Sequence, residues 1–126
     1  MKKSRFKELL QKQLETLIEL TDTKGEEYAH GSDDQLSNFK EQGTQLGVSP
    51  FTVLAVYLDK HLRSIRVFLK EPNNDAAMSE PITGRIDDAI LYLLLLKAMI
   101  VEKSEVNEKM APDGLYHPLR PPGDNA

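Results

Sequence analysis

Apolar residues recur at three- and four-residue spacing from about residue 4 to residue 23, where Phe6, Leu10, Leu14, Leu17 and Leu20 or Thr21 share one side of a helix opened by Ser4. The periodicity then stops. Lys24-Gly25-Glu26-Glu27-Tyr28-Ala29-His30-Gly31 lies between two glycines and reads as a helix end or short irregular connection. Ser32-Asp33-Asp34-Gln35 spells a capping box, so a second helix is expected over about 33–46, carrying Leu36, Phe39 and Leu46 and stopping at Gly47, with Gly43 weakening its middle. Ser49-Pro50 is a second start signal, serine capping and proline at the first helical position. The helix that follows, 50–70, has the clearest apolar stripe: Leu54, Leu58, His61 or Leu62, Ile65 and Phe68 or Leu69, with Lys60, Arg63 and Arg66 on a basic side.

Glu71-Pro72-Asn73-Asn74-Asp75 cannot continue a helix and predicts an exposed link of about ten residues. Pro81 then opens a fourth helix, 81–109, which is apolar nearly all round between Ile86 and Val101. Such a helix has partners on every side, so it is expected to be the central helix or to form an interface with a second copy. After Met110 the prolines and glycines predict an extended tail over 111–126. The pattern therefore gives an all-α fold: one domain over 1–110, a four-helix antiparallel bundle whose short second helix has the alternative of lying across its end.

Composition adds exclusions. The chain has 126 residues, enough for one core, and a net charge of -4, which argues against broad nucleic-acid binding. It has no cysteine, hence no disulfide framework and no thiolate site, and no apolar run approaches the roughly 20 residues of a membrane span. A cytoplasmic protein is expected. There is no glycine-rich phosphate loop, no serine nucleophile elbow and no histidine pair at zinc spacing.

Three groups of residues carry chemistry. Arg85, Asp87 and Asp88 stand where the fourth helix turns apolar, and charges there are costly unless paired or bound to a ligand or cation. Asp88 lies one turn after Gly84 and one turn before Tyr92, facing a groove the glycine leaves open, while Asp87 points about 100° away on the face shared with Glu80. The plainer reading is a structural Arg85–Asp88 pair near a helix start. Asp59, Lys60 and His61 form the second group. Lys60 with Arg63 or Ser64 suits phosphate oxygens and His61 can donate, against the plainer readings of a solvated basic side and a satisfied core histidine. Antiparallel neighbours would bring Asp59 and Asp87 or Asp88 to similar heights. Third, Glu26 and Glu27 offer hard oxygen donors for magnesium, Tyr28 and Phe39 offer stacking faces and Asn38 a base-reading amide; the plainer reading has Phe39 in the core and Glu26, Glu27 and Asn38 on the surface. Two chemistries remain: magnesium-assisted attack of water on a nucleotide phosphate, or nucleotide binding without turnover.

Lys24-Gly25-Glu26-Glu27-Tyr28, Asp34-Gln35-Leu36-Ser37-Asn38-Phe39-Lys40, Tyr57-Leu58-Asp59-Lys60-His61 and Ser79 through Ala89 together resemble small phage and prophage proteins akin to the all-α nucleotide pyrophosphohydrolases, the MazG-like group, and to nucleotide-modification-associated domains. The resemblance spans about residues 20 to 100. It implies a helical homo-oligomer that binds a nucleoside triphosphate through magnesium and releases pyrophosphate. Candidate metal ligands or water-orienting acids are then Asp59, Asp87, Asp88 and Glu27, and nucleotide contacts fall to Lys24, Tyr28, Asn38, Lys60, His61 and Arg85. The chain departs from the MazG-like acid pairs: Asp88 fits the last acid, but Arg85 stands where an earlier glutamate belongs, and Leu62 follows Asp59 by three. Those departures weigh against catalysis more than against binding, and leave as alternatives a phage protein that sequesters a nucleotide signal and a helical interaction protein whose charges fix register.

Overall fold

The computed structural model describes the backbone of residues 1–29, 32–73 and 81–110 and the side chains of 1–23, 32–73 and 81–109. Among the described residues there are four helices and no strand: α1 (Lys3–Ala29), α2 (Ser37–Leu46), α3 (Pro50–Lys70) and α4 (Ile82–Met110). The expected tail 111–126, most of the link after Asn73, and the side chains of Lys24, Glu26, Glu27 and Tyr28 lie outside that description.

Two boundaries differ from the expectation, each for a local reason. α1 runs on through Ala29 instead of ending near Thr23. Gly25 costs about 1 kcal/mol in a helix interior, but its neighbours Lys24, Glu26, Glu27 and Ala29 are strong helix formers, and one glycine does not stop the ladder. α2 begins at Ser37, not at the Ser32 capping box. Here the Ser32 hydroxyl accepts from the Asp34 amide (3.0 Å) and Asp34 Oδ1 accepts from the Leu36 amide (3.0 Å). The Ser32 oxygen is thus engaged by the Asp34 amide instead of the Gln35 amide of a capping box, and two successive side-chain-headed turns form because serine and aspartate oxygens sit so close to the backbone. α3 starts as expected, with Ser49 Oγ accepting from the Phe51 amide (3.1 Å) ahead of Pro50. The Pro81 carbonyl accepts the first bonds of α4, from Gly84 and Arg85.

α3 and α4 run antiparallel and share the most extensive seam. Phe51 lies under Lys103, Tyr57 stacks on Tyr92 and His61 meets Asp88, so rising positions on one helix match falling positions on the other. α2 lies on α3 and α1 packs against both α2 and α4. The core is built from Leu36, Phe39, Val53, Leu54, Leu91, Tyr92, Leu95 and Met99, with Leu17 and Leu20 of α1 closing it. α4 is not enclosed, however: Leu93, Leu94, Ile100 and Val101 are exposed on the side away from the core. No helix among the described residues is long and apolar enough to cross a membrane.

The α2–α3 corner depends on two glycines. Gly47 sits at φ 70°, the left-handed region, and ends α2 as the sequence predicts. Gly43 has a different task, because a Cβ there would come within 2.7 Å of the Val48 carbonyl oxygen and 3.2 Å of Pro50 N. At the other end of α2, Lys40 Nζ reaches both Asp34 Oδ2 and Glu102 Oε1 at 2.7 Å, tying the α2 entry to α4. The hydrogen bond from Lys40, with the Leu36 amide second, holds the Asp34 carboxyl below its ordinary range, while Asp34 and Glu102 hold the Lys40 ammonium above its own.

Gly43→Ala should lose about 1–3 kcal/mol in urea unfolding, although alanine is the better helix former, since the obstacle is backbone. For the Lys40 bridge, Lys40→Met should cost a few tenths to about 1 kcal/mol at neutral pH, the bridge being some 40% exposed. Its stability is present above the unfolded carboxyl pKa and below the unfolded lysine pKa. The difference between wild type and variant should therefore fade as pH falls through the lowered Asp34 pKa, and as it rises through the raised Lys40 pKa, in melts scanned across pH.

Candidate functional site

The antiparallel seam places a line of polar and aromatic side chains through the middle of the protein. It begins on α2, where Gln42 Nε2 donates to Asn38 Oδ1 (3.0 Å) and the Tyr57 hydroxyl of α3 donates to Gln42 Oε1 (3.1 Å). Phe39 meets the Tyr57 ring edge-on, with centroids 6.0 Å apart, and Tyr57 lies parallel to Tyr92 of α4, also at 6.0 Å. Tyr92 stacks in turn on His61 (5.2 Å), and His61 Nδ1 stands 3.9 Å from Asp88 Oδ2. Arg85, one turn before Asp88, is buried on the same side of α4.

The helical period explains why these residues meet. Tyr57 and His61 are i, i+4 on α3, and Arg85, Asp88 and Tyr92 are spaced by three and four on α4, so each set lies on its helix's inward face. His61 and Asp88 are each 8% exposed and Arg85 is 9% exposed. An imidazole, a guanidinium and a carboxylate so nearly removed from water stabilise a fold less than apolar side chains of equal volume would. Next to them Gly84 leaves room: a Cβ there would meet nothing within 4 Å.

The other residues singled out from the sequence are distributed differently. Asn38 is buried, not on the surface, and it joins the line through Gln42. Asp59 faces away from His61, on the outer side of α3, where its carboxylate binds Arg63 Nε (2.7 Å) and Arg66 (3.3 Å). Lys60 is exposed beside Val56, Asp59 and Arg63 and does not approach Asp88. Asp87 lines a separate groove of about 570 Å³ between α1 and α4, with Phe6, Leu10 and Ile86 among its walls. Lys24, Glu27 and Tyr28 lie outside the described side chains.

These positions bear directly on magnesium. The three aspartates expected to share an ion are set apart: Asp59 on the outer side of α3, Asp87 on the α1–α4 groove and Asp88 in the buried α3–α4 seam. Among the described residues no group of three or more acids or histidines is placed to hold a metal. Glu26 and Glu27, the other acids the sequence offers for magnesium, lie outside the described side chains. Tyr57, Tyr92 and Gln42 belong to the line although the sequence did not mark them as site residues. The available signal was the tyrosine four positions from a charged or titratable core residue on each helix.

No family model, no curated protein and no solved structure matches this chain.

The buried cluster makes a stability prediction. Asp88→Ala removes a buried carboxylate 3.9 Å from the His61 imidazole and should cost about 3–5 kcal/mol in denaturant unfolding, whereas Asp59→Ala, on the exposed side of α3, should cost no more than about 1 kcal/mol.

Proposed function

We propose that this chain binds a nucleotide, and that it holds the ligand at the His61–Arg85–Asp88 end of the buried line without depending on a magnesium-bound acid set. The observation that carries this reading is the convergence of those three groups from two helices, beside the space at Gly84. Buried ionisable groups in a core that apolar side chains would fill at least as well are the usual mark of a ligand site. Their chemistry suits the parts of a nucleotide. A guanidinium donates to phosphate or to a base acceptor, and a carboxylate accepts from ring or amino N–H. The nucleotide class itself is supported by the resemblance of four sequence blocks to the MazG-like and nucleotide-modification-associated proteins.

Binding is favoured over pyrophosphate release by Asp59, whose carboxylate is committed to Arg63 and Arg66 on the far side of α3. Arg85 also stands where a catalytic relative would carry an acid. A role in sequestering a nucleotide signal needs the buried cluster and no turnover. The same reading includes assembly with further copies of the chain, supported by the exposed apolar side chains of α1 and α4.

The deciding experiment is calorimetry with each common nucleoside mono-, di- and triphosphate, with magnesium and with chelator, together with an assay for pyrophosphate. Binding should persist in chelator, and Arg85→Ala should weaken it by about 1.5–3 kcal/mol, the scale of a hydrogen bond to a charged group. Pyrophosphate release by the wild type would replace this reading with the enzyme. Absence of binding by every nucleotide would leave the helical interaction protein.

A further inference from the structure

α1 leaves a ridge of apolar side chains uncovered. Phe6, Leu10, Leu14 and Ile18, spaced by four, are each more than half exposed, while Leu17 and Leu20 on the adjoining side pack into the core. The helix is also charge-polarised. Between Lys2 and Lys12 it carries five basic side chains and one acid, and from Gln13 to Asp22 it carries three acids and no base. We infer that α1 pairs antiparallel with α1 of a second copy along the Phe6–Leu10–Leu14–Ile18 ridge; the inference rests on the assembly reading above and names its seam.

Both features select the same arrangement. The ridge is symmetric about residue 12, so a two-fold axis there sets Phe6 opposite Ile18 of the second copy and Leu10 opposite Leu14, with an apolar side chain at every level. It also brings the basic half of each α1 alongside the acidic half of the other: Lys7, which flanks the ridge, falls between the levels of Glu15 and Asp22 of the second copy. A parallel pair would stack like charges along its whole length, a repulsion that misfits the partner and excludes it.

Size is adequate. A seam of four turns removes on the order of 500 Å² from each copy, near the roughly 1,000 Å² total at which a specific interface becomes stable. Ile86, across the α1–α4 groove from Phe6 and Leu10, extends the apolar surface on the same side. Because the ridge residues are exposed in the single chain, changing them leaves the bundle core intact.

Light scattering at micromolar concentration should find wild type dimeric, and the double variant Leu10→Glu, Leu14→Glu monomeric with unchanged helical circular dichroism. A monomeric wild type overturns the pairing and the assembly reading together and leaves nucleotide binding unaffected. A double variant that stays dimeric overturns the pairing alone. Orientation is read by cross-linking, since the chain has no cysteine of its own. Phe6→Cys chains mixed with Ile18→Cys chains should form a disulfide-linked dimer at least about ten-fold more abundant than either variant forms alone, because like positions on antiparallel copies stand about 18 Å apart. Cross-linking of Phe6→Cys with itself, or a dimer in which the mixed pair does not link, overturns the antiparallel seam.

Discussion

A buried carboxylate is costly where it stands, and in this fold Asp88 is set 3.9 Å from an imidazole on a different helix. Asp88 of α4 meets His61 of α3 while Arg85 is buried one turn away, and the stack of Tyr92 on His61 fixes the imidazole. That placement sets the register of the α3–α4 seam more tightly than apolar packing would. Leucines tolerate a slip of a turn when volume is conserved, whereas a slip here would strand an acid, an imidazole and a guanidinium in the core. The remaining core, from Leu54 to Met99, falls into place around the register so chosen.

α2 reads that register at its other end. Gln42 and Asn38 extend the polar line from the Tyr57 hydroxyl, and Phe39, fully buried, closes the aromatic stack edge-on. For a helix of ten residues to lie so close to α3, the chain must turn back within a few residues of its last turn. Gly43 permits the close approach of the Val48 and Pro50 backbone, and Gly47 supplies the left-handed stop. The Lys40 bridge to Asp34 and Glu102 ties the same helix to α4, so α2 connects the site's two walls and does not merely cover one end.

The outer faces obey a different balance. α4 satisfies the core with one side and presents Leu93, Leu94, Ile100 and Val101 on the other, and α1 engages the core through Leu17 and Leu20 while its ridge stays open. Apolar area of this extent, left in water, favours association. The polarity of charge along α1 then decides orientation, because electrostatics between exposed groups is weak in strength but effective in discriminating one arrangement from another.

The sequence by itself determined everything that repeats within one helix. The stripes of α1 and α3, the Ser49-Pro50 start, the Gly47 stop and the absence of strands among the described residues depend on neighbours within four or five residues, and local sterics and hydrogen bonding settle them. It also marked Arg85 and Asp88 as charges in an apolar stretch, and His61 on an apolar face. What only the tertiary structure decided is which of these meet. Asp59 and His61 are two residues apart, yet the turn of the helix sends one to two surface arginines and the other to Asp88. Ser32 carried a capping signal, yet its hydroxyl accepts from the Asp34 amide while Asp34 accepts from the Leu36 amide, so the chain makes two turns before α2 begins. Tyr57 and Tyr92, ordinary core residues when read along the chain, become the centre of the polar line once two helices are laid side by side. Period assigns a residue to a face; the opposing face is chosen by packing between helices far apart in sequence, and no local pattern encodes it.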